Sequence, residues 1–367
     1  MKKAACMILA LILFLPLQGC KFKDIDLKLF VMAIGIDVSD ESPNKIKVTL
    51  KLAIPQGDPK KADEKVQMLT QESETIAEAV REMKSRVDKE LDFGHCKALI
   101  FGEKYAKTSL RDALDWAMRR RDIQMMMYCA VGKPSAKEVL GVQPASERIP
   151  ANSLFLALSR DGTESPFIVP VFFYNFKRRF DETGLDPLLP VIEAKSEQEF
   201  EISTVYLFNK QKIGYLMNPE ETRFYNLLTT KNLLTNFNIK YNGSPYAYNV
   251  ERSKASYKIK KTKDGEPYIE YKINLVAELE ENKTENIVTE QFLNDLSAAA
   301  GADLNQKIQK ALEKVQQSGS DPFGWGLRYA ATHWNNRTEF KDWADMSERL
   351  KFKVNSKVFI KYTGMIR

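Results

Sequence analysis

The sequence is poor in the residues that most often carry chemistry. In 367 residues there are two histidines, His95 and His333, and four cysteines, Cys6, Cys20, Cys96 and Cys129. No HExxH, GxSxG, Walker loop or CxxC spacing occurs, so the patterns that mark zinc hydrolases, serine hydrolases, nucleotidases and thiol oxidoreductases are missing. His95 beside Cys96 is the nearest approach to a nucleophile and its base. Adjacent strand residues point to opposite faces, which places that pair badly for proton transfer. No histidine, cysteine or carboxylate spacing suggests a metal set or a cofactor site. Charge of one sign is scarce too. Lys and Arg number 55 against 49 Asp and Glu, interspersed along the chain, a balance that argues against a nucleic-acid partner. There is no internal repeat, no low-complexity tract and no long apolar run beyond Leu17.

What is present begins with Ala4 to Leu17, 14 apolar residues behind Lys2 and Lys3. A helix needs roughly 18–20 residues to cross a bilayer core, so residues 1–19 read as a signal peptide and not as a span. The run ends on Leu17-Gln18-Gly19-Cys20, which resembles the lipobox of bacterial lipoproteins. That resemblance implies a diacylglycerol on the Cys20 thiol, an N-acyl chain on the new N-terminus, and anchoring by buried acyl chains. An ordinary signal peptide with an incidental cysteine is the plainer alternative. Lys21 to Asp26 would be a short tether, holding the folded body close to lipid. Cys6 leaves with the signal. Cys96 and Cys129 fall in apolar runs that read as neighbouring strands; a disulfide is open to them in an exported protein, but their setting favours two buried thiols, since free cysteine packs as a small hydrophobe.

Composition, 44% hydrophobic and 28% charged, is that of a globular chain with room for two or three domains. Phe30 to Val38 reads as a buried strand in which Gly35 allows a bulge or a close backbone approach. Ile46 to Ile54 alternates with lysines and predicts a hairpin partner wet on one face. Gln56 to Lys65 reads as a loop. From Glu72 the spacing Ile76, Val80, Met83, Val87, Leu91 predicts an amphipathic helix ending near Gly94. Lys97 to Phe101 reads as a strand, Thr108 to Arg119 as a helix burying Leu110, Leu114, Ala117 and Met118, and Ile123 to Val131 as a strand. Ser135 with Glu138 forms a capping box opening a short helix that Gly141 stops. Asn152 to Asp161 reads as another short helix, and Phe167 to Phe176 and Pro190 to Ala194 as strands.

The charged stretch Lys195 to Glu201 is the best candidate for a domain boundary. Beyond it, Ile202 to Leu216 reads as a hairpin turning at residues 209–211, and Asn218-Pro219 opens a helix. Strands follow over Asn236 to Asn249, Ala255 to Lys261 and Ile269 to Leu275. The spacing from Leu293 to Val315 predicts a long helix that persists through Gly301. Asp321-Pro322-Phe323-Gly324 stops it, a further helix carries Trp334 and Trp343, and Leu350 to Tyr362 closes the chain with strands.

Two features invite a functional reading. Asp37 could be an acidic ligand, although a strand-end residue opening the turn Ser39 to Asn44 is the simpler account. Arg119-Arg120-Arg121, before Asp122, lies at a helix-to-strand turn. Three cations at a helix C-terminus suit the macrodipole as a solvated cap; the alternative is contact with an acidic partner surface or with phospholipid headgroups.

Laid out in order, these segments resemble the Ger(x)C family, the lipoprotein C subunits of spore germinant receptors. The resemblance rests on the lipobox at Cys20, FVMAIGIDVSD (Phe30 to Asp40), GHCKALIFGEKYA (Gly94 to Ala106), Arg119 to Asp122 with the strand after it, and Lys133 to Leu140. In the second half it rests on Ile202 to Leu216, the long helix and Asp321 to Gly324. It implies a three-domain α+β architecture of mixed β-sheets flanked by helices. After the signal, residues 20–198 would form an N-terminal region of two subdomains, with an α/β unit at about 63–143, and residues 199–367 a C-terminal α+β domain. It further implies a non-catalytic subunit anchored on the outer face of the spore inner membrane. The partners implied are two integral-membrane receptor subunits, of A and B type, with membrane lipid through the anchor. No cofactor is implied beyond the lipid on Cys20. The rival reading is a solute-binding lipoprotein of a transport or sensing system, which would need two similar lobes around a cleft.

Overall fold

The computed structural model describes residues 27–42, 44–54, 65–146, 152–159, 165–210, 212–283, 288–334 and 337–361. The apolar run and Cys20 therefore lie outside the described residues. The first part of the chain runs β1 (Lys28–Val38), β2 (Ile46–Ile54), β3 (Lys65–Ser73), α1 (Ile76–Lys84), β4 (Glu90–Asp92), β5 (Ala98–Gly102), α2 (Glu103–Ala106), α3 (Arg111–Arg119), β6 (Tyr128–Lys133) and α4 (Ala136–Gly141). It continues through α5 (Ser153–Ser159), α6 (Phe173–Asp181), β7 (Leu188–Ala194), β8 (Phe200–Phe208) and β9 (Ile213–Met217). These strands build one nine-stranded sheet in the order β3-β2-β1-β5-β6-β7-β8-β9, with β4 beside the start of β1. β1, β5, β6 and β7 are mutually parallel because helices cross over between β5 and β6 and between β6 and β7; the flanking pairs are antiparallel hairpins. The central strands are buried on both faces, which is why ALIFG and YCAV read as unbroken apolar runs.

The chain then forms α7 (Pro219–Thr229), β10 (Thr235–Tyr241), β11 (Ser244–Lys261), β12 (Pro267–Asn282), α8 (Glu290–Gln317), α9 (Trp325–Thr332), α10 (Glu339–Ser347) and β13 (Lys351–Lys361). The second sheet has the order β10-β11-β12-β13. Asn242 and Gly243, at φ 49° and 85°, make the tight turn between β10 and β11. α8 is the crossover that allows β13 to run parallel to β12. It buries Leu296, Ala300, Leu304, Ile308, Leu312 and Val315, the stripe its spacing announced. Gly301 persists inside it because the helix backbone lies against β13: a Cβ there would come within 2.9 Å of the Ser356 carbonyl oxygen. One apolar core runs from Leu29 to Ile360 through both sheets, and a smaller one, including Ala33, Ile100, Ala136, Leu140 and Leu158, fills the other face of the large sheet. This is the α+β arrangement of mixed sheets flanked by helices.

Several expectations need correction. The helix expected from Glu72 to Gly94 is only α1. Thr75 caps it by accepting from the Glu78 N–H, and the chain then turns so that Leu91, in β4, pairs in parallel with Leu29. Residues 65–73 are a strand. Phe167 to Phe176 is not a strand; Phe173, Phe176 and Phe180 lie on the buried stripe of α6, a helical spacing the aromatic content obscured. β6 begins at Tyr128 and not at Ile123. Met118 is exposed, and Trp334 lies beyond the end of α9 with 77% of its surface in solvent. Residues 195–199 form the turn joining paired strands β7 and β8, and β8 and β9 complete the first sheet.

The lysine-bearing face of β2 is not wet. Register places Lys51 opposite Ala33 and Thr49 opposite Gly35, on the face that α4 covers. Lys51 and Thr49 are both 0% exposed, and the Lys51 ammonium donates to the Val142 carbonyl at 3.3 Å. Burial pushes the Lys51 ammonium down from 10.5 to about 8. Between those values the unfolded chain binds more protons than the folded one, so stability rises with pH across that window. Below it the fold carries the full cost of the charge, about 3 kcal/mol at 1.36 kcal/mol per pKa unit. Lys51→Met is therefore expected to raise unfolding stability in urea by about 2–3 kcal/mol near neutral pH and to flatten the rise toward about pH 10. Destabilisation at both pH values would show that the ammonium is held by an anion.

Candidate functional site

The one suspicious pair in the sequence is divided by the fold. His95 is exposed and stands edge-on to Phe30, ring centroids 4.6 Å apart. Cys96 is fully buried, its thiol 3.5 Å from the Ala98 carbonyl oxygen, and burial pushes it up to about 12. Such a thiol supplies no thiolate near neutral pH. Cys129 is likewise buried and raised, and the two thiols are free. Among the described residues no three His, Cys, Asp or Glu side chains gather as a metal set.

The arginine trio is also divided. Arg120, at the C-cap of α3, forks onto Asp122, with Nε donating to Oδ1 at 2.9 Å. Its guanidinium lies 4.0 Å from the Phe93 ring centroid and 5.5 Å from that of Trp116. It closes the lower end of the α3 packing and is structural. Arg119 and Arg121 are exposed on either side of it.

Two carboxylates, one buried and one half-buried, organise the molecule, and sequence reasoning gave neither its role. The first is Asp37, at the end of β1. Its Oδ1 accepts from the Ala136 N–H at 2.8 Å and its Oδ2 from the Lys137 N–H at 3.0 Å, so it caps α4 from a distance of about a hundred residues. Burial raises its carboxyl above the ordinary range, against the pull of those two N–H groups. Ser135 adds the local cap, accepting from the Glu138 N–H, as expected. α4 can sit this low because Gly35, Gly102 and Gly132 lie beneath it on β1, β5 and β6. A Cβ on Gly102 would fall 1.8 Å from Asp37 Oδ1, and one on Gly132 3.1 Å from Ala136 Cα.

The second is Asp321, where the two sheets meet. Its carboxylate accepts from the Trp325 N–H at 3.0 Å and the Gly326 N–H at 2.7 Å, opening α9. Its own N–H donates to Asp186 Oδ2 at 2.7 Å, and the Asp186 N–H donates to the Asp321 carbonyl oxygen at 2.7 Å. Lys210 stands 3.3 Å from the other Asp186 oxygen, and Arg179 donates to the carbonyls of Asp186 and Pro322 at 3.1 and 2.9 Å. Burial pushes the Asp321 carboxyl up to about 6. A groove of about 450 Å³ opens beside it, walled by Trp325, Phe340 and Trp343 among others. The carboxylates here are already engaged by backbone donors and cations, so the cluster works as a latch between the sheets and offers no ready acid, base or metal ligand. The sequence signal for it was an aspartate at the start of a turn ending in glycine; Gly324 takes φ 71°, which that residue tolerates best.

Comparison with known proteins gives matches across the chain. Residues 21–194 match a family model described as spore germination protein N-terminal domain, and residues 203–364 match one described as spore germination B3/GerAC like, C-terminal. The gap between them falls at the turn and start of β8. Spore germination protein GerQC of Bacillus cereus is 24% identical over 368 residues, 98% of each chain. Putative spore germination protein YfkR of Bacillus subtilis (strain 168) is 22% identical, over 80% of this chain and 77% of its own. Among solved structures, that of the GerBC protein superposes with a TM-score of 0.60 at 14% identity, covering 89% of this chain and 96% of that one; at this identity it speaks for the fold.

Proposed function

The chain belongs to the Ger(x)C family of spore germination proteins, and from that premise we propose that it is the lipid-anchored C subunit of a nutrient germinant receptor. In this reading Cys20 carries the acyl chains, the body stands on the outer face of the spore inner membrane, and two integral-membrane subunits are its partners. The observation that carries it is the pair of family matches, 21–194 and 203–364, which together follow the chain from just after Cys20 almost to its end. The apolar run ending in Leu17-Gln18-Gly19-Cys20 supports the anchor. No described helix is long and apolar enough to cross a membrane. In this reading the subunit has no catalysis of its own; Cys96 and Cys129 are buried with their thiols pushed up, and Asp37 and Asp321 serve as helix caps. The solute-binding alternative gains nothing from the architecture, because a nine-stranded sheet and a four-stranded one are not two similar lobes.

The test is purification of the tagged chain from detergent-solubilised spore membranes. Co-purification of two polytopic proteins is expected, with loss of the response to nutrient in spores lacking the chain. Recovery of the chain alone in the aqueous fraction, with germination intact in its absence, would contradict the reading.

A further inference from the structure

The strands fix which end of the body faces the anchor. β1, β4, β5 and β6 are parallel, so the segments entering them share one end of the large sheet. Leu27, the first described residue, enters β1 there; residues 119–127 enter β6 there. Cys20 precedes Leu27 by a stretch that spans at most about 25 Å when fully extended. This end of the sheet cannot lie far from the acylated residue.

The same end carries large apolar side chains in solvent. Met126 is 57% exposed and Leu27 63%, and Met125 and Tyr174 are exposed at the same end. Met125 and Tyr174 are neighbours, since the Tyr174 N–H donates to the Met125 carbonyl at 3.1 Å. Arg119, the last residue of α3, and Arg121 just after it stand exposed; of the carboxylates at this end, Asp92 and Asp122 are paired with Lys28 and Arg120, while Asp88 and Glu90 are exposed ahead of and at the start of β4. Single exposed hydrophobes are ordinary on protein surfaces. Several of them flanked by free cations, at the end from which the chain leads to an acyl anchor, have the composition of an interfacial lipid-binding surface.

We propose that loop 119–126, with Leu27 and Tyr174, is the face that rests on lipid: Met125, Met126 and Tyr174 enter the headgroup–acyl boundary, and Arg119 and Arg121 contact anionic headgroups. This rests on the anchored reading above. It adds that the body is oriented on the bilayer and does not swing freely on its tether. Arg120 takes no part, being held by Asp122 and the Phe93 ring.

The experiment uses the full-length acylated protein with Met126→Cys carrying an environment-sensitive dye, and Asn44→Cys as reference. Asn44 is exposed in the turn after β1, at the opposite end of that strand, and buried Cys96 and Cys129 do not compete for the reagent. Both are floated on phosphatidylcholine vesicles containing phosphatidylglycerol, with and without doxyl-labelled lipid. Quenching at 126 is expected to exceed that at 44 by at least about threefold, as insertion of about 5–10 Å implies, and to fall in the labelled Arg119→Gln/Arg121→Gln protein. Flotation with position 126 as wet as position 44 overturns the surface and leaves the anchor standing. Failure to float overturns both. A dye shielded in spore membranes but wet on pure lipid vesicles overturns the lipid face in favour of a protein partner. Quenching indifferent to the two arginines overturns their assigned contact.

Discussion

Gly132→Val is expected to lower the stability of the large sheet by about 3 kcal/mol or more, the upper end of what overpacking costs. For 367 residues melting as one unit, at about 2.1 cal/mol/K of unfolding entropy per residue, that is a fall in melting temperature of roughly 4 °C. Gly132 is on β6 directly under the first turn of α4. Its Cβ would meet Ala136 Cα and the Ser135 carbonyl oxygen, each at 3.1 Å, and Ile100 Cγ2 at 2.9 Å. Two of those three atoms are backbone and cannot rotate aside. The helix must lift, and lifting it draws the Ala136 and Lys137 N–H groups off Asp37, leaving a buried carboxylate with fewer donors. Gly141→Ala, at the other end of the same helix, is the control. Nothing lies within 4 Å of a Cβ there, and alanine is favoured over glycine in a helix by up to about 1 kcal/mol, so no loss is expected. Thermal melts of the two variants check the pair; equal melting temperatures would mean that α4 is not seated on the glycines.

How much of this was legible depends on the range of the signal. Local signals were legible: the Ser135–Glu138 cap, the stripe of α8, the Asn218-Pro219 start of α7, and the apolar β1; the Glu221 capping box at that start came only with the structure. Gly35 was expected to permit a bulge or a close approach, and α4 does pack closely there: a Cβ on Gly35 would fall 2.9 Å from Leu140 Cδ1. What sequence periodicity missed depended on partners distant in the chain. The lysines of β2 alternate like solvent residues, yet Lys51 faces a helix whose position is set by three glycines on three other strands. Leu91 fits the helical spacing of α1, but pairing with β1 claims it. Asp37 and Asp321 are short polar residues at element ends, which suggests turns; their helix N-termini are identified only by the fold. In the arginine trio, the sequence cannot say which side chain folds back, because the ring that Arg120 covers most closely, Phe93, follows β4 far back in the chain, while Trp116 lies one turn back on α3 itself.

The second large effect is expected from Cys20→Ala. The thiol is the proposed acyl acceptor, and each buried CH₂ contributes roughly 0.8 kcal/mol, so two chains give an anchor that no single downstream side chain replaces. The variant is expected to keep its signal uncleaved or to leave the membrane, while its two sheets, built from strands between Lys28 and Lys361, stay folded. Tethering a partner raises its local concentration, worth on the order of 10²–10⁴ in apparent affinity for linked sites. Loss of the tether is therefore expected to reduce nutrient germination sharply, with direct contact to the membrane subunits recovering part of it.

Metabolic labelling with a fatty acid tests this most directly, applied to wild type and Cys20→Ala in spores that rely on this receptor and scored alongside nutrient germination. Label on the wild-type chain alone, with germination falling as the variant leaves the membrane, is the expected result. An unlabelled wild-type chain, or full germination by a Cys20→Ala chain shown to be released from the membrane, would contradict the anchored subunit.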